Sequence, residues 1–253
     1  IQLMTIAGRK EHMEIRVYDN AAQAGQAAAA LFAAQLTRKP DSVLGLATGS
    51  TPIPTYKQLI YLFQQGAVDF SRAVSYNLDE YVGLAPEHPC SYHAFLMEQL
   101  FDHVNMRREA IHVPSGNVAD LASAARDYDA AIEAAGGIDI QLLGIGRNGH
   151  IGFNEPGECF IDNCHLVTLS QSTIEANTRF FHSVDEVPRQ AVSLGIGAIM
   201  RARQVVLIAT GPDKAQAIHD SVLENVTPQV PCSILRYHPN AIFLLDREAA
   251  SLL

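Results

Sequence analysis

Four short segments of this chain are apolar at nearly every position: SVLGLAT (42–48), IDIQLLGIG (138–146), QVVLIAT (204–210) and AIFLLD (241–246). A strand with one wet face alternates apolar and polar residues, so a continuous apolar run means burial on both faces. Stretches of helical character lie between them: Ala21–Leu36 with Asp19 or Asn20 as its cap, a run from Pro52 to about Gln65, and SYHAFLMEQLF (91–101) capped by Ser91. Ala119–Ala135, Gly195–Arg203 and Lys214–Leu223 read the same way. MEIRVYD (13–19), AVSYNLDEYV (73–82) and AIHV (110–113) add strands. This alternation predicts an α/β fold: a doubly wound, mostly parallel sheet with helices on both faces, Rossmann-like in layout. No linker or fixed-period repeat interrupts it, so residues 13–253 are expected to form a single domain. Residues 1–12 follow no regular period and read as an N-terminal extension or tag remnant.

In such a fold the ligand sits beyond the carboxyl ends of the strands. Charge narrows what that ligand is. The chain carries 18 Lys and Arg against 27 Asp and Glu, a formal charge of −9, with no basic run. Nucleic acid and anionic membranes are therefore poor partners, since both need a basic face. A small anion remains open, because screening over roughly 8 Å lets a few local cations outweigh distant carboxylates. No apolar run approaches the roughly 18 residues of a membrane span. Cys90, Cys159, Cys164 and Cys232 form no C-x-x-C pair, and no signal-peptide pattern is present; reduced thiols and a cytoplasmic location are expected. Cys159, Cys164 and His165 are poorly spaced for zinc, and neither a metal nor another cofactor is expected.

Two strand ends suit an anion. The 42–48 strand runs into Thr48-Gly49-Ser50-Thr51-Pro52 and then a helix. Gly49 allows close backbone approach, Ser50 and Thr51 offer hydroxyls, Pro52 fits the first helical turn, and a helix N-terminus favours negative charge. An ordinary capped turn fits this stretch equally well. The 204–210 strand opens in the same manner into Gly211-Pro212-Asp213-Lys214, where Lys214 is either a point charge for a phosphate or a solvated lysine. No Walker A pattern occurs, which argues against a nucleoside triphosphate.

GIGRNGHIGFNEPG (144–157), rich in glycine, is expected to be a loop after the 138–146 strand. It carries Asn148, His150 and Glu155. His150 suits proton shuttling near neutral pH, and Glu155 orients its ring if the loop folds back. A structural histidine bonded to backbone is the alternative. Asp79 and Glu80 end an apolar strand; neighbouring strand residues face opposite ways, so only one of them faces a given site, either as a general base or as a solvated acid. Arg179 is a further candidate clamp. No G-x-S-x-G elbow is present, and the glycines at 144, 146 and 149 precede a loop that cannot open a dinucleotide-binding helix.

From about Met13 onward the chain resembles the glucosamine-6-phosphate deaminases, the glucosamine-6-phosphate isomerase family. The resemblance rests on LATGSTPIPTYKQL (46–59), YNLDEYVGL (76–84), SYHAFLMEQLF (91–101), LGIGRNGHIGFNEPG (143–157), ANTRFF (176–181) and GPDKAQAI (211–218), in that order. It implies a sugar-phosphate substrate and isomerisation with deamination, without a cofactor. By the same resemblance Asp79 matches the base between C2 and C1. His150, supported by Glu155, matches the group that opens the sugar ring, and Asn148 stands as a helper where many members carry Asp. Arg179 and Lys214 with Thr48, Gly49, Ser50 and Thr51 match the groups holding phosphate and hydroxyls. Some hexameric members are activated by N-acetylglucosamine 6-phosphate at a site built with a Ser, an Arg and a Lys. The matching positions are Glu158, His165 and Val167, so no such activation is expected here. A 6-phosphogluconolactonase-like hydrolase needs no C2 base, a non-catalytic sensor would lack Asp79 or His150, and a galactosamine-6-phosphate deaminase differs by one hydroxyl contact. A homo-oligomer is left open.

Overall fold

The computed structural model describes residues 2–4 and 13–253; the rest of the first twelve residues, where an extension or tag remnant is expected, lies outside the described residues. The strands are β1 (Gln2–Met4), β2 (Met13–Tyr18), β3 (Val43–Leu46), β4 (Val74–Asn77), β5 (Asp79–Tyr81), β6 (Ile111–His112), β7 (Ile140–Leu143), β8 (His165–Thr168), β9 (Gln190–Ser193), β10 (Val205–Ala209) and β11 (Ala241–Asp246). The α-helices are α1 (Ala21–Arg38), α2 (Ile53–Gln64), α3 (Tyr92–Gln99), α4 (Leu121–Ala134), α5 (Gln171–Asn177), α6 (Ile196–Met200) and α7 (Ala215–Leu223). Asn20 and Ser91 cap α1 and α3, their side chains accepting from Gln23 N and Ala94 N. Lys214 falls in a 3-10 turn, Pro212–Lys214, ahead of α7. None of the described helices is long and apolar enough to cross a membrane.

The main sheet has the order β1-β2-β11-β10-β7-β3-β4-β6. All of its pairings are parallel except β1 with β2, where Gln2–Met4 run antiparallel to Ile15–Val17. A three-residue strand is too short to show a period, which is why the sequence pattern begins only at Met13. Every residue of β3, β7, β10 and β11 is buried, as helices on both faces require. From β3 the chain builds outward through β4 to β6, then returns to β7 beside β3 and builds the other way. The order of strands therefore reverses between β3 and β7, the position where doubly wound sheets open a crevice.

The expected strand over 73–82 is two strands. Leu78 N donates to Leu46 O at 3.0 Å, and Leu194 N donates to Leu78 O at 2.8 Å. Beyond that joint the chain leaves the parallel sheet, and β5 pairs antiparallel with β9, which pairs with β8. This small sheet has its own apolar cluster of Tyr81, Phe153, Val167, Leu169, Ile174, Val187 and Ala191. The apolar run continues across the joint because both sides are buried, so hydrophobicity alone cannot reveal the change of sheet.

Candidate active site

Segments leaving the carboxyl ends of four adjacent strands, β4, β3, β7 and β10, surround one cleft of about 680 Å³. Thr48, Gly49, Ser50, Thr51, Asp79, Asn148, His150, Arg179 and Lys214 all line it. Glu155 does not; it stands behind His150. Glu80 points to the opposite face of β5, so of the two neighbouring acids only Asp79 looks into the cleft.

At one end Asp79 is 6% exposed. Burial, and secondarily the charge of Glu80, push its carboxyl up to about 8. Asp79 Oδ1 has no hydrogen-bond partner among the described residues. A buried, poorly solvated carboxyl of this kind accepts a proton readily. The backbone nearby is held by Asn77, whose Nδ2 donates to Asp79 O at 2.5 Å.

His150 shares this end. Its ring lies against Gly146, where a Cβ would come within 2.2 Å of the imidazole, so this glycine makes room for the ring. His150 N donates to Asn148 Oδ1 at 3.2 Å, and Asn148 Nδ2 donates to Glu155 Oε2 at 2.7 Å. Nδ1 of His150 is 3.6 Å from the same Glu155 oxygen, an ion-pair distance. The hydroxyls of Thr173 and Ser170 donate to Glu155 Oε1 at 2.5 and 3.2 Å. Burial raises the Glu155 carboxyl, but His150, Thr173 and Asn148 together outweigh it and hold the group at about 2. Glu155 is thus an anion at neutral pH, standing beside the His150 ring.

The other end is open and cationic. Gly49 adopts φ 93°, a conformation disfavoured for residues with a Cβ, and Tyr56 Oη donates to Ala47 O at 2.5 Å to brace the start of the turn. Arg179 Nη2 donates to Ser50 Oγ at 3.3 Å, joining residues 129 apart in the chain. Burial lowers the Lys214 ammonium pKa; Asp213 opposes this, while Arg147 and Arg179 add to it. Asp213 also pairs with Arg147 at 3.0 Å. The turn at Gly211 is anchored by Asp246 at the end of β11, whose oxygens accept from Gly211 N at 3.0 and 3.1 Å.

A proton acceptor and a His–Glu pair therefore face a cationic, glycine-turned anion site across one cleft. A model of the glucosamine-6-phosphate isomerases and 6-phosphogluconolactonases matches residues 18–243.

The chain belongs to this family.

Glucosamine-6-phosphate deaminases within the family are similar over nearly its whole length. That of Thermoanaerobacter pseudethanolicus is 47% identical over 241 residues, 95% of each chain. That of Lachnoclostridium phytofermentans is 54% identical over 213 residues, 84% of this chain and 90% of the other. A solved structure described as a monomeric glucosamine-6-phosphate deaminase superposes with a TM-score of 0.93 at 42% identity, covering 94% of this chain and 99% of that one. A 6-phosphogluconolactonase from Thermotoga maritima, at 17% identity and a TM-score of 0.74, covers 94% of this chain and all of its own; it shares the fold.

The family cleft also contains residues that the sequence did not single out: Tyr92, Arg147, Thr173 and Asp213. Ser170 alone carried a readable signal, as a serine capping the start of α5. The contacts of Ser170 and Thr173 with Glu155 carried none. A second hollow of about 270 Å³ lies behind the Glu155 turn and is lined by Glu158, His165 and Val167 among others.

Proposed function

We propose that this chain converts glucosamine 6-phosphate and water to fructose 6-phosphate and ammonia, through aldose–ketose isomerisation followed by deamination. The observation that carries this reading is the close, full-length similarity to glucosamine-6-phosphate deaminases combined with Asp79 and His150 facing one cleft.

The residues account for each step. Arg179, Lys214 and the Thr48–Thr51 turn hold the phosphate, leaving the sugar to extend toward Asp79. His150 takes the proton of the anomeric hydroxyl and delivers it to the ring oxygen as the C1–O5 bond breaks; the anion of Glu155 stabilises the imidazolium in between. Asp79 removes the C2 proton; that electron pair forms the C1–C2 double bond while the C1=O π pair moves onto O1, which takes a proton from the substrate ammonium, giving an enolamine. The proton then returns from Asp79 to C1, leaving an iminium at C2. Water adds there, and the carbon–nitrogen bond breaks to release ammonia and leave the ketone. None of these steps requires a redox change. The reading extends to a cytoplasmic enzyme of amino-sugar catabolism.

Purified, EDTA-treated protein is expected to release ammonia from glucosamine 6-phosphate faster than from galactosamine 6-phosphate, and to leave 6-phosphogluconolactone unhydrolysed. Lactone hydrolysis without ammonia release overturns the proposal. Ammonia release mainly from the galactosamine epimer corrects the substrate.

A further inference from the structure

Glu80 is bound by three backbone amides beside the cleft, yet it does not line the cleft. It is 4% exposed. Its Oε1 accepts from Tyr81 N at 2.8 Å and from Tyr92 N at 3.0 Å, and its Oε2 accepts from His93 N at 2.9 Å. The first amides of a helix have no partner within the helix. In α3 those of Tyr92 and His93 go to Glu80, and that of Ala94 goes to Ser91 Oγ at 3.0 Å. A residue of β5 therefore completes the cap of α3. The two elements carry opposite parts of one wall: Asp79 is the strand residue before Glu80, and Tyr92 opens the helix and lines the cleft. Tyr92 Oη donates to Tyr81 Oη at 3.2 Å, and the Tyr92 ring stacks on Phe153 with centroids 6.0 Å apart.

We propose that Glu80 is a positioning residue for the reaction, clamping the strand that carries Asp79 to the helix that carries Tyr92 and so fixing where the base meets the substrate carbon. The proposal rests on the assignment of Asp79 as the base.

The clamp has an electrostatic consequence. Tyr56, Tyr81, Tyr92, Tyr128 and Cys164 lie within the field of Asp79, and burial holds each of them in its neutral form. Glu80 is the charged neighbour that raises Asp79, after burial itself. Burial also raises Glu80; the Tyr92, His93 and Tyr81 amides, and then the His93 ring, oppose that rise. A carboxylate at position 80 thus holds the wall and keeps Asp79 a stronger base.

Glu80→Gln and Glu80→Asp separate the two effects. The glutamine keeps the shape, removes the charge and turns an NH2 toward His93 N–H. It is expected to lower kcat about 10–100-fold by misplacing the base. KM should stay within about threefold, because the phosphate groups sit on other strand ends. The acid limb of kcat/KM should move to lower pH by roughly one pH unit, as a like charge is removed. The substrate amine titrates identically with both proteins, so the difference belongs to the enzyme. The aspartate keeps the charge but is one methylene too short for all three amides; kcat should fall with the limb unmoved. Wild-type kcat and an unmoved limb in Glu80→Gln, whatever its melting temperature, overturn the proposal. If Glu80→Gln does not fold, wild-type kcat in Glu80→Asp overturns it. Turnover surviving in Asp79→Asn but lost in Glu80→Gln makes Glu80 the base, and sinks the assignment of Asp79 instead.

Discussion

The two ends of the cleft are built on opposite physical principles. At the Asp79 end Asp79 is buried and His150 and Glu155 are partly so, and the two carboxyls diverge in proton affinity: Asp79 is raised to about 8, while Glu155 is held at about 2. At the Lys214 end glycine turns and long cationic side chains face an open mouth, and Arg147 and Arg179 are exposed. Burial makes charge costly, and that cost is what turns an ordinary carboxylate into a base suited to a carbon acid. Exposure keeps Arg147 and Arg179 solvated and adaptable, while Lys214 beside them is partly buried, which suits capture of a phosphate that undergoes no chemistry. Dry groups thus govern the rate and wet groups govern occupancy, and substitutions at the two ends should separate in kcat and KM.

The largest effect is expected from Asp79→Asn, which keeps the shape and removes the proton acceptor. Its kcat should fall on the order of 10²–10⁴-fold, with proton exchange at C2 lost and sugar-phosphate binding retained. Near-normal turnover would place the base elsewhere and dissolve the contrast between the ends. The same substitution carries a stability signature. The Asp79 carboxyl is raised from 3.8 to about 8 on folding, so its contribution to stability is complete below 3.8 and is lost as pH rises through about 8. The melting temperature of Asp79→Asn relative to the parent should therefore climb across that interval. A difference independent of pH would show that Asp79 is not buried as a charge.

His150→Gln comes next, with about 10²-fold lost on the cyclic substrate and binding of a non-cyclising analogue preserved. Unfolding in place of slowed turnover would make His150 structural and leave Asp79 alone at the dry end. Lys214→Ala and Arg179→Ala should act mainly on KM, each weakening substrate by about 1.5–3 kcal/mol for a lost charge-assisted hydrogen bond. A fall confined to kcat would show that the wet end also takes part in the chemistry. The smallest expected effect is none at all. With Glu158, His165 and Val167 around the hollow behind Glu155, a second sugar phosphate finds a carboxylate, and burial keeps the His165 imidazole from charging. Rate curves should be hyperbolic and unchanged by N-acetylglucosamine 6-phosphate, since an effector shifts an equilibrium only by differential affinity. A sigmoidal curve that this compound makes hyperbolic would reverse the prediction.

The sequence determined whatever depends on neighbours along the chain. Continuous apolar runs read as buried strands because burial on two faces leaves no alternation, and β3, β7, β10 and β11 lie where those runs fall. Asn20 and Ser91 read as caps because a cap acts over three residues. The Gly-rich segment after β7 read as a loop for similarly local reasons. Tertiary structure decided what depends on groups far apart. The break at Leu78 is invisible to hydrophobicity, since both sides are buried; it is made by backbone bonds to Leu46 and Leu194. Which of Asp79 and Glu80 faces the cleft depends on the pairing of β5 with β9, whose partner residues lie more than a hundred positions along the chain. Glu155 is held low by His150 first and then by Thr173, which α5 brings onto it from 18 residues away, and Arg179 reaches Ser50 across 129 residues. Periodicity records burial, whereas proton affinity is set by distances between side chains that only the folded chain brings together.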